Sequence, residues 1–305
     1  MHRAVLLEET ISYLLADPHG VYVDCTLGGG GHLGCLMEKL EADAQVIAID
    51  RDKDVLQNTK KKLSYANITF VHEDFRNLDK ILKARNIEKV DGILMDLGVS
   101  SFQLDIAERG FSFHEDAVLD MRMDRKQELT ARDIVNNFSE KDISQIFFQY
   151  GEERYARSIA KAIVRYREEK EIVTTLELVE IIKSSVPAKY RRAKHPARKV
   201  FQALRIAVNH ELEALEEVLP MALQALKPGG RLCIITFHSL EDRLVKRFFR
   251  EKARDCICPP GLPICICDHQ AELKVVFRKA LAAGERECSE NPRARSAKLR
   301  VAEKL

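Results

Sequence analysis

Short apolar segments alternate with helical patterns through the first hundred residues of this 305-residue chain. Segments 21–25 and 45–50, a third within 67–75 and a fourth ending near Asp96 are apolar and rich in β-branched residues. Strands that alternate with helices at this spacing form parallel sheets, because each helix returns the chain across one face of the sheet. The alternation therefore predicts an α/β fold with a doubly wound parallel sheet.

The next hundred residues, about 105–204, break this alternation and show only helical spacing of apolar residues. The alternation then resumes with a helix at about 205–226, a turn at Lys227–Gly230, a buried strand, and a terminal pair of strands at 274–281 and 296–305. Connections within such sheets are far shorter than a hundred residues. The sequence therefore predicts an all-α domain, 105–204, inserted into a discontinuous sheet domain, 1–104 and 205–305.

Composition excludes few classes of protein. Hydrophobic residues make up 46% of the chain, enough for a large core, and the net charge is only +2. No apolar run approaches the ~20 residues that cross a bilayer, and acids interrupt the apolar pattern near the N-terminus, unlike a signal peptide. We therefore expect a cytoplasmic protein without a membrane segment, in which the eight cysteines stay reduced.

Positive charge is concentrated in two runs, 189–199 and 293–300, which contain Lys and Arg but no acid. Local basic patches on a nearly neutral protein are typical of an enzyme that docks RNA at one face. Basic runs are equally common on solvated surfaces, so the sequence leaves both interpretations open.

A glycine cluster follows the first predicted strand and opens a helix. The segment Asp24–His32 reads Asp-Cys-Thr-Leu-Gly-Gly-Gly-Gly-His, and glycines there let a ligand approach the backbone closely. Gly29, Gly31 and Gly34 fit the dinucleotide pattern G-x-G-x-x-G, but four consecutive glycines fit several templates. Asp24 favours S-adenosylmethionine, because an acid at the strand end attracts its positively charged methionine end and would repel a pyrophosphate.

Further candidate cofactor residues follow the next strands, at the edge of the sheet where ligands bind. Asp50 ends the second strand, where an acid accepts ribose hydroxyls. Asp74 is a candidate for the adenine amine or a helix N-cap, and Phe75 for the adenine ring or the core. Asp96 ends the fourth strand without the Asp-Pro-Pro-Tyr pattern of many amino-methyltransferases, which weighs against a DNA methyltransferase.

Eight distinctive runs extend over nearly the whole chain. They are Gly92–Asp105, Glu108–Phe113, Leu119–Asp124, Tyr150–Arg154, Lys194–Ala197, Phe201–Arg205, Phe237–Arg243 and Glu290–Ser296. Together they resemble the bacterial ribosomal RNA small-subunit methyltransferase H family. Its members methylate N4 of a cytidine in the decoding region of 16S ribosomal RNA.

This resemblance implies a class I S-adenosylmethionine-dependent methyltransferase (Rossmann-like) sheet with an inserted helical domain for substrate recognition. It implies 16S ribosomal RNA, within the small ribosomal subunit, as the partner. The implied cofactor contacts are Gly30, Gly31, His32, Asp50, Phe75, Asp96 and Gln103. The assignment of His32 and Gln103 rests mainly on the resemblance. Capping of the helix start is an alternative role for His32.

Asp96 is the candidate catalytic residue. The lone pair of the cytosine amine is delocalised into the ring, so a hydrogen-bond acceptor would localise it and help to remove the proton. Asp96 is placed to be that acceptor, and a role in cofactor binding alone is the alternative.

Candidate RNA contacts lie after the fourth and fifth strands and within the last basic run. They are Arg109, Phe111, Phe113, His238, Ser239, Arg293 and Arg295. Aromatic and Arg side chains hold unstacked bases, and Arg binds phosphates. In the alternative interpretation the two phenylalanines pack between domains, and Ser239 with Asp242 caps a helix.

Four cysteines form a symmetric pattern, C-x-C, six residues, C-x-C, at Cys256, Cys258, Cys265 and Cys267. Three prolines and Gly261 lie between the pairs and predict a turn that brings them together. The spacing within each pair is tighter than in usual zinc sites. No metal is assigned from the sequence, and a hairpin with free thiols and a zinc site stay open.

Three rival functions remain at this point. A methyltransferase for DNA or a small molecule would not need this combination of basic runs and inserted domain. An NAD-dependent oxidoreductase would need catalytic residues for the nicotinamide and would face the charge of Asp24. A non-catalytic RNA-binding factor would not need acids at successive strand ends.

Overall fold

A computed structural model describes residues 4–193, 195–258, 264–267 and 269–305. The chain forms two compact units. The sheet unit contains the residues up to Gly98 together with 212–305, and the helical unit contains 99–211.

Seven strands of the sheet unit form one continuous path in the order β3-β2-β1-β4-β5-β8-β6, and β7 pairs with β8. The strands are β1 Val21–Asp24, β2 Gln45–Asp50, β3 Ile68–His72, β4 Val90–Asp96, β5 Leu226–Thr236, β6 Leu273–Val275, β7 Leu281–Ala282 and β8 Lys298–Lys304. Strands β1 to β5 are parallel, and β8 is antiparallel to β5, β6 and β7. The predicted Rossmann-like class I methyltransferase fold is confirmed.

The α-helices of both units, in chain order, complete the architecture. They are α1 Leu7–Leu14, α2 Gly31–Met37, α3 Lys53–Lys62, α4 Leu78–Lys83, α5 Ser101–Asp105, α6 Ala131–Asn137, α7 Glu140–Gly151, α8 Ala156–Arg167, α9 Thr175–Ser184, α10 Ala188–Ala193, α11 Ala197–Asn209, α12 Glu211–Ala225, α13 Ser239–Lys252 and α14 Glu285–Glu290. Short 3₁₀ turns lie at Phe75–Asn77, Ala107–Arg109 and Pro292–Ser296.

Alternate residues of the central strands enter different cores on the two faces of the sheet. Val23, Ile47 and Ile93 pack in a core with α4, α12 and α13, whereas Tyr22, Val46 and Leu94 pack in a core with α1, α2 and α3. Side chains of a strand point alternately to opposite faces, and a sheet covered on both faces needs nearly continuous apolar strands. This explains why β4 reads as one buried apolar run.

The helical unit has its own core, built from the inward faces of α6 to α9 and α11. Threonine and serine residues begin several of these helices. Thr130 and Thr174 each form a capping box, in which the side chain accepts the N–H three residues later and an acid there accepts the Thr N–H. The starts of these helices are therefore specified by residues that are close together in the sequence.

The boundary predicted between the domains at 204 and 205 differs from the structure. Helix α11 runs unbroken to Asn209, and His210 then adopts a left-handed conformation with φ 50° before α12 begins. One helix at 205–226 was the expectation, but the left-handed residue divides that segment in two. The role of the helical unit as a substrate-recognition domain stays a prediction.

The predicted turn at Lys227–Gly230 falls inside a strand, where these four residues interrupt the pairing with β4. Strand β5 begins at Leu226 and includes these four residues, with a shift in register opposite Val90 and Gly92. Gly229, at φ 81°, takes the left-handed conformation, as expected for a glycine at a β-bulge.

None of the helices in the described ranges is both long and apolar enough to cross a membrane.

Candidate active site

The glycine loop connects β1 to α2 and is held by side chains from β2 and α3. The N–H of Gly28 donates to Oδ2 of Asp50 at 2.9 Å, and the Thr59 hydroxyl donates to the Gly28 carbonyl at 2.7 Å. Gly28 and Gly30 have φ of 50° and 75°, a region that side chains other than glycine rarely adopt. Glycine is therefore required here by the path of the chain as well as by any ligand.

Adjacent glycines of this loop should respond differently to substitution. A Cβ on Gly30 would lie 2.5 Å from Cγ2 of Thr59, whereas a Cβ on Gly29 would meet no atom within 4 Å. We expect Gly30→Ala to lower the free energy of unfolding by about 1–3 kcal/mol through its left-handed backbone and this clash. Gly29→Ala serves as the matched control and should leave stability unchanged in urea denaturation. Equal stability of the two variants would contradict the loop geometry.

Three carboxylates end adjacent strands, at the point where the strand order reverses between β1 and β4. Asp24, Asp50 and Asp96 are the last residues of β1, β2 and β4. Ligands of open α/β sheets bind in the crevice at this switch point. The acids predicted for the cofactor thus share one sheet edge.

Thr26 links two of these acids. Its N–H donates to Oδ1 of Asp24 at 3.0 Å, and its hydroxyl oxygen accepts the N–H of Asp96 at 2.6 Å. Sequence reasoning missed this residue, because the contact with Asp96 joins positions seventy residues apart and depends on the pairing of β1 with β4.

Burial makes ionisation of these acids unfavourable in the protein alone. It raises the pKa of Asp24, which is 3% exposed, to about 7, and the charge of Asp50 adds to this effect. Burial likewise raises the pKa of Asp50 to about 6. The pKa of Asp96 lies well above its ordinary range because of burial and the charges of Asp24 and Glu241.

His32 does not supply a balancing positive charge. Its ring is 5% exposed, and burial lowers its pKa to about 4, so it is neutral at pH 7. Nε2 lies 3.0 Å from the Val5 carbonyl, which can only accept, so Nε2 carries the proton and Nδ1 faces Oδ2 of Asp96 at 3.5 Å. His32 therefore holds the N-terminal segment through Val5, and its unprotonated Nδ1 can accept a hydrogen bond from Asp96 only when that carboxyl is protonated.

The site has the electrostatics of a pocket for a cation. Within the described ranges no Lys or Arg forms an ion pair with Asp24 or Asp96, and Oδ1 of Asp96 is buried there without a hydrogen-bond partner. Buried charges are ordinarily paired, so a positively charged ligand would stabilise the ionised acids. The ammonium and sulfonium of S-adenosylmethionine fit this requirement.

Asp74 and Phe75 follow β3 at the same sheet edge. Oδ1 of Asp74 accepts the N–H of Arg76 at 2.9 Å, so the capping alternative raised for Asp74 is present. Its Oδ2 also lies 3.5 Å from the Arg51 guanidinium. Phe75 is half-buried and packs against the core beside α4. A role of its ring toward adenine stays a prediction.

Gln103 lies in the helical unit, in the first turn of α5. It forms a capping box with Ser100, whose N–H donates to Oε1 of Gln103 at 2.9 Å, and it is 4% exposed. Its oxygen is thus occupied by local structure, and the cofactor contact implied by the resemblance stays a prediction.

Two of the predicted RNA contacts are buried in the helical unit. Arg109 is 3% exposed and donates from one Nη2 to the carbonyls of Arg122 and Met123 at 2.8 and 3.0 Å. Phe111 is 7% exposed and belongs to the core of that unit. The structure therefore gives both residues a packing role. Carbonyl oxygens of a loop surround the Arg109 guanidinium, and the path of that loop cannot be predicted from the sequence pattern.

Phe113 instead belongs to a partly exposed aromatic group. Its ring stacks on His195 with centroids 4.7 Å apart and an interplanar angle of 19°, and it contacts His114 and Phe201. His114 is exposed, and burial lowers the pKa of His195, which favours a neutral stacking ring. The basic run on α10 adds the exposed side chains of Lys189, Arg191 and Arg192; Lys194 lies outside the described residues.

His238, rather than Ser239, caps α13. Nδ1 of His238 accepts the N–H of Glu241, and the Glu241 carboxylate accepts the N–H of Phe237 and of His238 at 2.8 and 3.3 Å. The predicted box of Ser239 with Asp242 was therefore one residue too late. Glu241 is 2% exposed, and its charge raises the pKa of Asp96.

The last predicted residues lie in the 3₁₀ turn before β8. Arg295 is exposed and Arg293 half-buried. Asp242 accepts from Lys298 and Arg300 at 3.0 and 2.8 Å, so part of this basic run stabilises the sheet unit.

Comparison with known proteins places this geometry in a family. The model of the MraW methylase family matches residues 1–305. Ribosomal RNA small subunit methyltransferase H of Halothermothrix orenii is 52% identical, over 100% of this chain and 98% of the relative. The protein of the same name from Carboxydothermus hydrogenoformans is 53% identical with the same coverage. A solved rRNA methylase from Streptococcus thermophilus is 13% identical, with a TM-score of 0.43 over 100% of this chain and 99% of that chain. With a full-length match to the family model and two relatives above half identity, the chain belongs to the MraW methylase family.

Proposed function

We propose that this protein transfers the methyl group of S-adenosylmethionine to the N4 exocyclic amine of a cytidine in the decoding region of 16S ribosomal RNA. The observation that carries the proposal is the pair Asp24 and Asp96 at the switch point. Asp24 is buried, Oδ1 of Asp96 has no hydrogen-bond partner, and neither acid forms an ion pair with a Lys or Arg among the described residues. The relatives' names supply the class of substrate. The amine and its position follow from the resemblance of the runs quoted above.

Each residue near the glycine loop has a distinct part in holding the cofactor. Gly30 and Gly31 shape the loop, Asp24 attracts the positive methionine end, and Asp50 accepts ribose hydroxyls. Phe75 offers a ring face toward adenine, and the family resemblance adds Gln103 to the cofactor contacts. When bound, S-adenosylmethionine supplies a methyl group that its positively charged sulfur activates for attack.

Asp96 acts on the amine. Its unpartnered Oδ1 accepts a hydrogen bond from the N4 amine, which localises the nitrogen lone pair. The N–CH₃ bond forms as the S–CH₃ bond breaks, and the proton lost by nitrogen passes to the carboxylate. A raised pKa makes Asp96 a stronger base than an ordinary carboxylate.

Aromatic and basic side chains would hold the RNA around its target cytidine, whose amine reaches Asp96. Phe113 and His195 present a stacked aromatic surface of the kind that binds unstacked bases. Arg295 and the exposed cations of α10 are placed for phosphates, and His238 and Ser239 lie after β5 at the ligand edge. Arg109 and Phe111 act indirectly, through the packing of the loop before Phe113.

The test is methyl transfer from labelled S-adenosylmethionine to small ribosomal subunits from cells that lack this protein. We expect N4-methylated cytidine, identified by mass spectrometry of nucleosides, in those subunits and no new label in subunits from wild-type cells. Label in another nucleoside would refute the cytosine assignment. Failure of the protein to bind the cofactor at all would refute the role of the glycine loop.

A further inference from the structure

Four cysteine sulfurs meet between α13 and β6. The Sγ atoms of Cys256, Cys258, Cys265 and Cys267 all lie within 4.8 Å of one another. The distances from Cys265 to Cys256, Cys267 and Cys258 are 3.5, 3.5 and 3.9 Å, and that from Cys267 to Cys256 is 3.7 Å. We call these four side chains the thiol cluster.

These distances match a tetrahedron around one ion. Four sulfurs at about 2.3 Å from zinc are about 3.8 Å from one another. A disulfide would bring two sulfurs to about 2.05 Å, and all four cysteines are free thiols. The sulfurs are therefore too far apart to be bonded to each other and correctly spaced to share a metal.

Backbone amides are directed at the sulfurs in a symmetric way. The residue between the first two cysteines, Ile257, donates its N–H to Cys267 Sγ at 3.4 Å. The residue between the second two, Ile266, donates to Cys258 Sγ, also at 3.4 Å. Amides that point at sulfur stabilise thiolates, the form that binds metals.

The segment that carries the thiol cluster has no apolar core to order it. None of the described residues between Arg254 and Cys267 is buried, and Ile257, Ile264 and Ile266 are 52%, 76% and 75% exposed. The Lys252–Glu272 ion pair, at 2.6 Å, joins the residues that flank this segment. Residues 259–263, where a turn was predicted, lie outside the described residues. Small segments without a core are usually held by metals or disulfides.

We propose that Cys256, Cys258, Cys265 and Cys267 bind one Zn²⁺ as a structural tetrathiolate site. Four protein ligands fill a tetrahedral zinc and leave no position for substrate, which distinguishes a structural from a catalytic site. Tetrahedral sulfur coordination suits zinc or iron, and zinc is the assignment because it is stable in this form without a change of redox state. The site would cross-link two short segments, 256–258 and 265–267, neither of which contains a buried residue.

The first test is the metal content of the full-length protein, purified without added metal or chelator. We expect about one zinc per chain by elemental mass spectrometry, and loss of zinc in the double variant Cys256→Ser with Cys265→Ser. Cys288→Ser, a half-buried thiol outside the thiol cluster, is the matched control and should retain the metal. Iron in place of zinc would overturn the zinc assignment.

A second measurement needs no variant and so does not depend on folding of the double mutant. In the native protein, the thiol cluster should react with a thiol reagent only after a strong chelator is added. Replacement of zinc by Co²⁺ should give the absorption of tetrahedral cobalt thiolate. A metal-free protein whose four thiols react at once would overturn the proposal.

Discussion

Asp96→Asn is expected to reduce the rate of methyl transfer by a factor of about 10²–10⁴ and, at the same time, to stabilise the protein. The rate falls because an amide cannot take the proton from the N4 amine. Stability rises because the pKa of Asp96 is higher in the folded protein than in the unfolded chain. The folded state then binds this proton more tightly, and stability falls as pH rises above the ordinary Asp value of about 3.9. Asn cannot ionise, so the Asp96→Asn variant does not lose this stability at pH 8.

A neighbouring acid of β4 provides the control for Asp96. Asp91 accepts the N–H of Val21 at 2.7 Å and pairs with Lys227 at 2.7 Å. Asp91→Asn should therefore lower stability and leave the rate per folded enzyme nearly unchanged. Single-turnover methyl transfer and urea denaturation measure the two effects. A near-normal rate for Asp96→Asn would assign Asp96 to cofactor binding alone.

Affinity for S-adenosylmethionine is expected to weaken by about three orders of magnitude between pH 8 and pH 5. At pH 5, Asp24 with a pKa of about 7 is ionised in about one molecule in a hundred, and Asp50 with a pKa of about 6 in about one in ten. Asp24 must be ionised to attract the positive methionine end and Asp50 to accept the ribose hydroxyls, so binding must displace both protons as the pH falls below these values. The cofactor's α-amino group, with a pKa of about 7.7–8.0, is mostly protonated at pH 7 and below, so the loss of affinity between pH 7 and pH 5 originates in the protein.

Isothermal titration calorimetry at pH 5 to 8 tests this pH dependence. Heats in buffers of different ionisation enthalpy should show protons released on binding at pH 6. Asp24→Asn keeps an acceptor for the Thr26 N–H and should remove most of the dependence. A dissociation constant that is the same at all pH values would mean that these acids do not contact the cation.

The acids of the site could be predicted because their positions follow from topology. A residue that ends a parallel strand lies at the ligand edge whatever the details of packing, so Asp24, Asp50 and Asp96 were found from strand ends alone. Thr26 was not found, because its contact with Asp96 depends on the register between strands far apart in sequence. Membership of a methylase family also removes the oxidoreductase alternative that the glycine pattern had left open.

Predictions for single side chains were less successful where a loop sets the environment. Arg109 has the appearance of a phosphate contact, but carbonyl oxygens of residues thirteen and fourteen positions later bury it. Likewise His238 caps α13 because its backbone is extended, with φ −140°, which residue type alone does not reveal. The thiol cluster could be recognised only as a pattern, since C-x-C spacing does not say whether the sulfurs converge.

The order of strands has a consequence for how the protein is made. Strand β8 lies between β5 and β6, although it is the last strand of the described chain. While synthesis proceeds, β5 presents an open edge, and such edges pair readily with other chains. Release of residues 298–304 by the ribosome is thus the event that closes the sheet. If synthesis stops before that point, the nascent chain exposes the unpaired edge of β5. We expect such truncated chains to aggregate or to be degraded rather than to accumulate.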